Sequence, residues 1–198
     1  MRRPHISYQV RRRIVFGIAL AILAFFYLFK NYSIPLRAIS AAAFIIFFYA
    51  MDHLFDIRFE HRHYFYALFF AFFAFLLSPL YYLYPQYDKL QHIVMPMMFA
   101  SMTFHMIAPL NLKLQWKLLF VFFMIIGTNG LFELSEYGID QFTDFKLQGV
   151  YLRDETGLQK FVVLQDRIDD TMIDMGLGTL GAVAYVCAVA LISKKRTR

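Results

Sequence analysis

Apolar residues in this 198-residue chain gather into six blocks separated by short polar interruptions. They run at about 14–29, 35–51, 64–84, 90–110, 114–134 and 171–192. A helix needs about 20 predominantly apolar residues to cross the roughly 30 Å hydrocarbon core of a bilayer. The last four blocks have that length. The first two are shorter and require tilt or local thinning of the bilayer. Pro35 suits the first turn of the second block, where its missing N–H has no intrahelical partner to lose. The pattern predicts an all-α polytopic membrane bundle of about six transmembrane helices, organised as a single domain over residues 1–198.

One polar connection is long, at about 137–168. Within it, the β-prone stretches 146–153 and 158–165 flank Asp154-Glu155-Thr156-Gly157, an Asp-start, Gly-end tetrad of the kind that closes a β-hairpin. A small hairpin is expected there, as a compact connector or as a lid over whatever lies between the helix ends.

Composition agrees with the blocks. The chain is 60% hydrophobic and 17% charged, with 24 Phe and 13 Tyr, whereas soluble domains average roughly 45–50% apolar and 25% charged. A soluble protein of this size has too little core for so many large apolar side chains, so lipid must solvate them. The net charge of +6 does not indicate nucleic acid, because the cations flank the apolar blocks. Arg2, Arg3, Arg11, Arg12 and Arg13 precede the first, and Lys194, Lys195, Arg196 and Arg198 follow the last. Basic flanks set orientation and touch anionic lipid.

Two cytoplasmic termini require an even number of crossings. With six, the cytoplasmic segments also take Arg58, Arg62, Lys113 and Lys117. The external ones keep seven of the 20 cations: Lys30, Arg37, Lys89, Lys146, Arg153, Lys160 and Arg167. The expected location is the cell membrane, multi-pass, with membrane lipid as partner. Tyr81, Tyr82, Tyr84 and Tyr87 sit at a block boundary, as an aromatic belt does. The single Cys187 lies in an apolar run and supports no disulfide framework. No small-x-small cleavage site follows the first block, which reads as a retained helix.

Three polar motifs fall at the external helix ends on this topology. Asp88-Lys89-Leu90-Gln91-His92 opens the fourth block, Glu133-Leu134-Ser135-Glu136-Tyr137-Gly138 closes the fifth, and Asp169-Asp170-Thr171-Met172-Ile173-Asp174 opens the sixth. Asp88 with His92, Glu133 with Glu136, and Asp170 with Asp174 are three or four apart, so each pair shares a helix face. Asn129 and Asp140 extend the stripe of the fifth helix. Carboxylates gathered at one membrane level must be neutralised by raised pKa values, by Lys or Arg, or by a bound cation. Lys89 and Arg167 are the local cations. A hard divalent ion (Mg, Mn or Fe) on Asp88, His92, Glu133, Glu136, Asp170 and Asp174 is the economical solution for oxygen ligands with one imidazole. The simpler explanation is capping, with Asp88 and Asp169 or Asp170 as N-caps, but it leaves Glu133 and Asp174 unexplained.

Other features have plainer explanations. Asp52, His53, Asp56, His61 and His63 form a second acidic and histidine group, expected to be a solvated loop between spans. Met95, Met97, Met98, Met102 and Met106 cover all faces of their helix and read as core filler. His105 points to a different face from His92. Gly176, Gly178, Gly181 and Ala182 are small residues that permit close helix contact.

Taken together, Asp88-Lys-Leu-Gln-His92, Glu133-Leu-Ser-Glu136-Tyr137, Asp170-Thr-Met-Ile-Asp174-Met175 and Gly181-Ala182 resemble the VanZ-like and YjdF-like group of small bacterial and archaeal membrane proteins, the YjdF-like pattern more closely. The likeness spans residues 85–185. Gln165-Asp166-Arg167 departs from the Gln-Gly-Asp of that pattern. The resemblance implies a polytopic helical fold with a shared acidic site and supplies no activity. Two functional expectations follow from the residues. One is an enzyme acting on a lipid or isoprenoid phosphate headgroup, with the cation on phosphate oxygens and His92, Glu133 or Glu136 as general acid or base. The other is a small transporter, proton or ion pathway, or lipid-binding subunit without catalysis.

Overall fold

A computed structural model describes residues 34–142, 146–153 and 161–196, together with a few helical positions between 10 and 21. The predicted block at 14–29 lies largely outside the described residues, and so does the turn at 154–157. The chain forms two compact units, Met1–Ser78 and Pro79–Arg198.

In the first unit, α1 (Ile34–Leu54) is followed by α2 (His61–Phe70) and a π-helical segment, Ala71–Leu76. Ala41, Ile45, Ala71 and Leu76 are buried together, with Phe44, Leu68, Phe72 and Phe75 packed around them. The expected uninterrupted span at 64–84 is therefore broken. The widened turn ends where Leu77 N–H donates to the Phe72 carbonyl at 3.0 Å and Ser78 Oγ donates to the Phe75 carbonyl at 2.9 Å. Pro79 has no N–H with which to continue the ladder, and a short 3-10 helix, Ser78–Tyr82, follows.

The acidic and histidine group does not behave as one solvated loop. His53, Asp56 and His61 are exposed, but Asp52 is 1% exposed and His63 is fully buried. Asp52 accepts from Tyr64 OH at 2.7 Å and from Phe59 N–H at 3.3 Å. Its carboxylate thereby fastens the 55–60 connection, where Asp56 and Arg58 adopt positive φ, back onto α1.

The second unit holds α3 (Pro85–Ile107), α4 (Leu114–Phe142), β1 (Val150–Arg153), β2 (Phe161–Gln165) and α5 (Arg167–Arg196). Helix α5 packs on both α3 and α4, which also pack on each other. Ala100, Ile107, Val121, Ile125 and Ala182 form the shared core. Close approach depends on two glycines. A Cβ at Gly181 would collide with the Ile93 carbonyl, and one at Gly178 with the Asn129 side chain. Among the described residues, α4 and α5 are long and apolar enough to cross a membrane.

Helix α4 continues past the predicted end at 134 to Phe142, because its polar stripe has partners. Asp140 accepts from the amides of Leu147 and Gln148, both at 3.0 Å, and ties the returning chain to the helix end. The expected hairpin is present. β1 and β2 pair antiparallel, with an irregularity between Val150 and Tyr151. Gly149 precedes it at φ +93°, where a side chain would be strained and would also press on the Tyr151 ring.

Candidate functional site

The site is built where the start of α3, the polar stripe of α4 and the start of α5 meet. None of the three acids offered as N-caps is one. Helix α3 begins at Pro85 after Tyr84, so Asp88 is already inside the first turn. Helix α5 is capped by Asp166, whose Oδ1 accepts from the amides of Ile168 and Asp169, each at 2.9 Å. Asp170 is thereby released from capping and turns inward. Glu133, Asp170 and Asp174 are only 4%, 4% and 2% exposed, so all three carboxylates face the bundle and not lipid.

Lys89 is the cation among them. Its Nζ donates to Asp170 Oδ1, to Asp174 Oδ1 at 2.9 Å and to Asp88 Oδ2 at 3.4 Å. The other oxygens of Asp88 and Asp174 face His92. His92 Nε2 lies 3.5 Å from Asp88 Oδ1 and 3.8 Å from Asp174 Oδ2, while Nδ1 lies 3.8 Å from Glu133 Oε1. These separations exceed good N–H···O bonds. Ligand atoms from Asp88, His92 and Asp174 all lie within 4.8 Å of one another. Glu133 Oε1 is buried and has no hydrogen-bond partner among the described residues.

An outer ring holds this centre to the hairpin. Asp170 Oδ2 accepts from Gly149 N–H at 2.8 Å. Gln148 Nε2 donates to Thr171 Oγ1 at 3.1 Å, and the Thr171 hydroxyl bonds Glu133. Asn129 Nδ2 reaches the Asp174 carbonyl at 3.4 Å. Tyr81 OH donates to Gln91 Oε1 at 2.8 Å. Glu136 lies within electrostatic reach of Glu133 and Asp88 and makes no ion pair among those described.

Of the six residues singled out from sequence, Asp88, His92, Glu133, Asp170 and Asp174 come together directly, and Glu136 stands beside them. Sequence reasoning named Lys89 only as a nearby charge, quoted Thr171 within its motif without giving it a role, and missed Gln148 and Gly149. The signal for Lys89 was its place in the first turn of α3, beside Asp88. Nothing local marked the hairpin base.

The fold is helical, with two helices among the described residues long and apolar enough to cross a membrane, and it holds a buried acidic centre. The chain belongs to the family described as "Predicted membrane protein (DUF2238)", whose model matches residues 11–195. No curated protein and no solved structure matches it.

Proposed function

We propose that Asp88, His92 and Asp174 bind one divalent cation, with Glu133 behind the imidazole, and that the cation presents an anionic headgroup, a lipid or isoprenoid phosphate, to the protein. The carrying observation is the buried Glu133 Oε1, which has no hydrogen-bond partner among the described residues and faces His92 Nδ1. A metal-bound histidine usually gives its second N–H to a carboxylate, which fixes the tautomer and strengthens the ligand. Two carboxylate oxygens on the Nε2 side at 3.5 and 3.8 Å match the spacing of neighbouring ligands round an ion whose bonds are roughly 2.0–2.6 Å long. One nitrogen among oxygens favours Mn or Fe over Mg.

In this reading Lys89 is not a phosphate ligand but the counter-ion that holds the far edges of Asp88 and Asp174. Asp170 belongs to that counter-ion and to the hairpin. With His92 on the cation, Glu133 and Glu136 are the groups left for proton transfer, as a metal-assisted phosphate reaction needs. The finer likeness to YjdF-like proteins rests on these same motifs. On the distribution of cations, the site is expected at the external face.

A second reading has its own support. Lys89 bridges three carboxylates, an internal counter-ion of the kind a proton or ion pathway uses. Equilibrium dialysis of the purified protein against Mn²⁺, followed by elemental analysis, separates the two. One equivalent in the wild type, lost in His92→Ala and Asp174→Asn, supports the metal site. A wild type that takes up none and gains no thermal stability from Mn²⁺ removes that reading and leaves the pathway.

A further inference from the structure

A two-stranded hairpin packed on a protein normally alternates covered and exposed side chains, because successive residues of a strand point to opposite faces. β2 does not. Val162, Val163 and Leu164 are 54%, 58% and 50% exposed, so both faces of the outer strand carry uncovered apolar side chains. The inner strand is different at its start, where Val150 is buried. The sheet is thus attached at its base and leaves its outer strand to the surroundings.

The surface that this strand continues identifies those surroundings. Ile168 and Met172 are exposed at the start of α5, and the exposed apolar face runs on through Leu180 and Val183 to Leu191. From Ile168 to Leu191 a helix covers about 34 Å at 1.5 Å per residue, slightly more than the roughly 30 Å of hydrocarbon. Ile168 therefore falls at the edge of the acyl region, and β2, ending at Gln165, falls in the interfacial layer beside it. The facing end of α4 agrees, with Tyr137 and Phe142 exposed there, where aromatic rings favour the interface. Arg167 stands exposed at the junction of strand and helix, within reach of lipid phosphates.

We infer that the β1–β2 hairpin is a membrane-interface element whose outer strand, Val162-Val163-Leu164, lies in the headgroup–acyl boundary and binds lipid, not water or another protein. The inference does not depend on an ion being bound. It has a consequence for the acidic centre, because Gln148 and Gly149 at the hairpin base hold Thr171 and Asp170. A hairpin seated at lipid level sets these contacts beside the headgroups, so that an anionic headgroup approaches the centre laterally from the bilayer.

Spin-label depth measurement tests this on the full chain. Single cysteines replace Val162, Val163 or Leu164 in a Cys187→Ser background, in vesicles of phosphatidylcholine and phosphatidylglycerol. Leu180 serves as the lipid-facing reference and Asn111, in the exposed 108–113 connection, as the loop reference. The labels on β2 are expected to collide more with oxygen than with a water-soluble nickel chelate, as at Leu180. Collision patterns like that at Asn111 at all three positions would overturn the inference. Dipolar broadening that disappears on dilution with unlabelled protein would also overturn it, by showing that β2 pairs with a second copy through its open edge. Using three neighbouring positions keeps the test alive if one variant does not fold.

Discussion

Lys89 shows how one side chain reorganises the meaning of its neighbours. Two of its carboxylate partners are nearly fully buried, and a buried charge is tolerated only when paired. Replacing Lys89 with Met removes the cation and leaves Asp170 and Asp174 facing each other. Loss of one partner from a buried pair costs roughly 3–5 kcal/mol; Lys89 itself is partly exposed, so the lower end is expected. The divalent-site reading adds a specific signature. The thermal midpoint of Lys89→Met should fall in chelator and recover with Mn²⁺ by more than the wild type gains, because an ion restores the missing positive charge. Equal Mn²⁺ shifts in the two proteins would leave Lys89 as a structural pair alone. Asp52 is the comparable lesson in the first unit. Its position between spans suggested a solvated acid, but Tyr64 OH and Phe59 N–H take it inside. Both donors come from later residues, so the pattern around position 52 carried no sign of them.

At the scale of elements, the glycines of α5 separate into those that matter for packing and those that do not. Gly181 lies against the backbone of α3 at Ile93, whereas Gly176 has open space around its Cβ position. Gly181→Val should destabilise the bundle by about 1–3 kcal/mol, the usual cost of overpacking a tight contact. Gly176→Ala should be neutral or slightly stabilising, since Ala suits a helix interior better than Gly. Thermal unfolding in detergent compares the two, and equal effects would show that close α3–α5 contact is not what Gly181 provides. The sequence read these residues together as one small-residue stripe, because spacing alone does not reveal which of them meets a neighbour. The same limit explains the helix ends. Asp169 and Asp170 looked like caps by residue type, but Asp166 takes that role, and only the chain's path into α5 decides between acids a few positions apart.

At the scale of the molecule, orientation is the property on which the functional reading most depends. An external acidic centre is the expectation from two basic termini and an even number of crossings. With single cysteines at Thr156 and Thr197 in the Cys187→Ser background, an impermeant thiol reagent on intact cells should label position 156 and spare 197. The opposite result would move the centre to the cytoplasmic face. Much was legible in the chain before any coordinates. The apolar blocks show membrane character, since no soluble core of this size can absorb 24 Phe. The i,i+4 spacing of Asp88 with His92 and of Asp170 with Asp174 put each pair on one face, because helical periodicity is a local property of the backbone. Alternating helix direction then brought three motifs to one level. Tertiary structure decided the rest: which oxygens face His92, that Lys89 reaches Asp170 and Asp174, and that the hairpin base closes on Thr171. Those contacts depend on the rotation, depth and spacing of three helices, set where Gly181 meets Ile93 and Gly178 meets Asn129. Such contacts join residues 81 and 85 positions apart, and no periodicity within one helix encodes them.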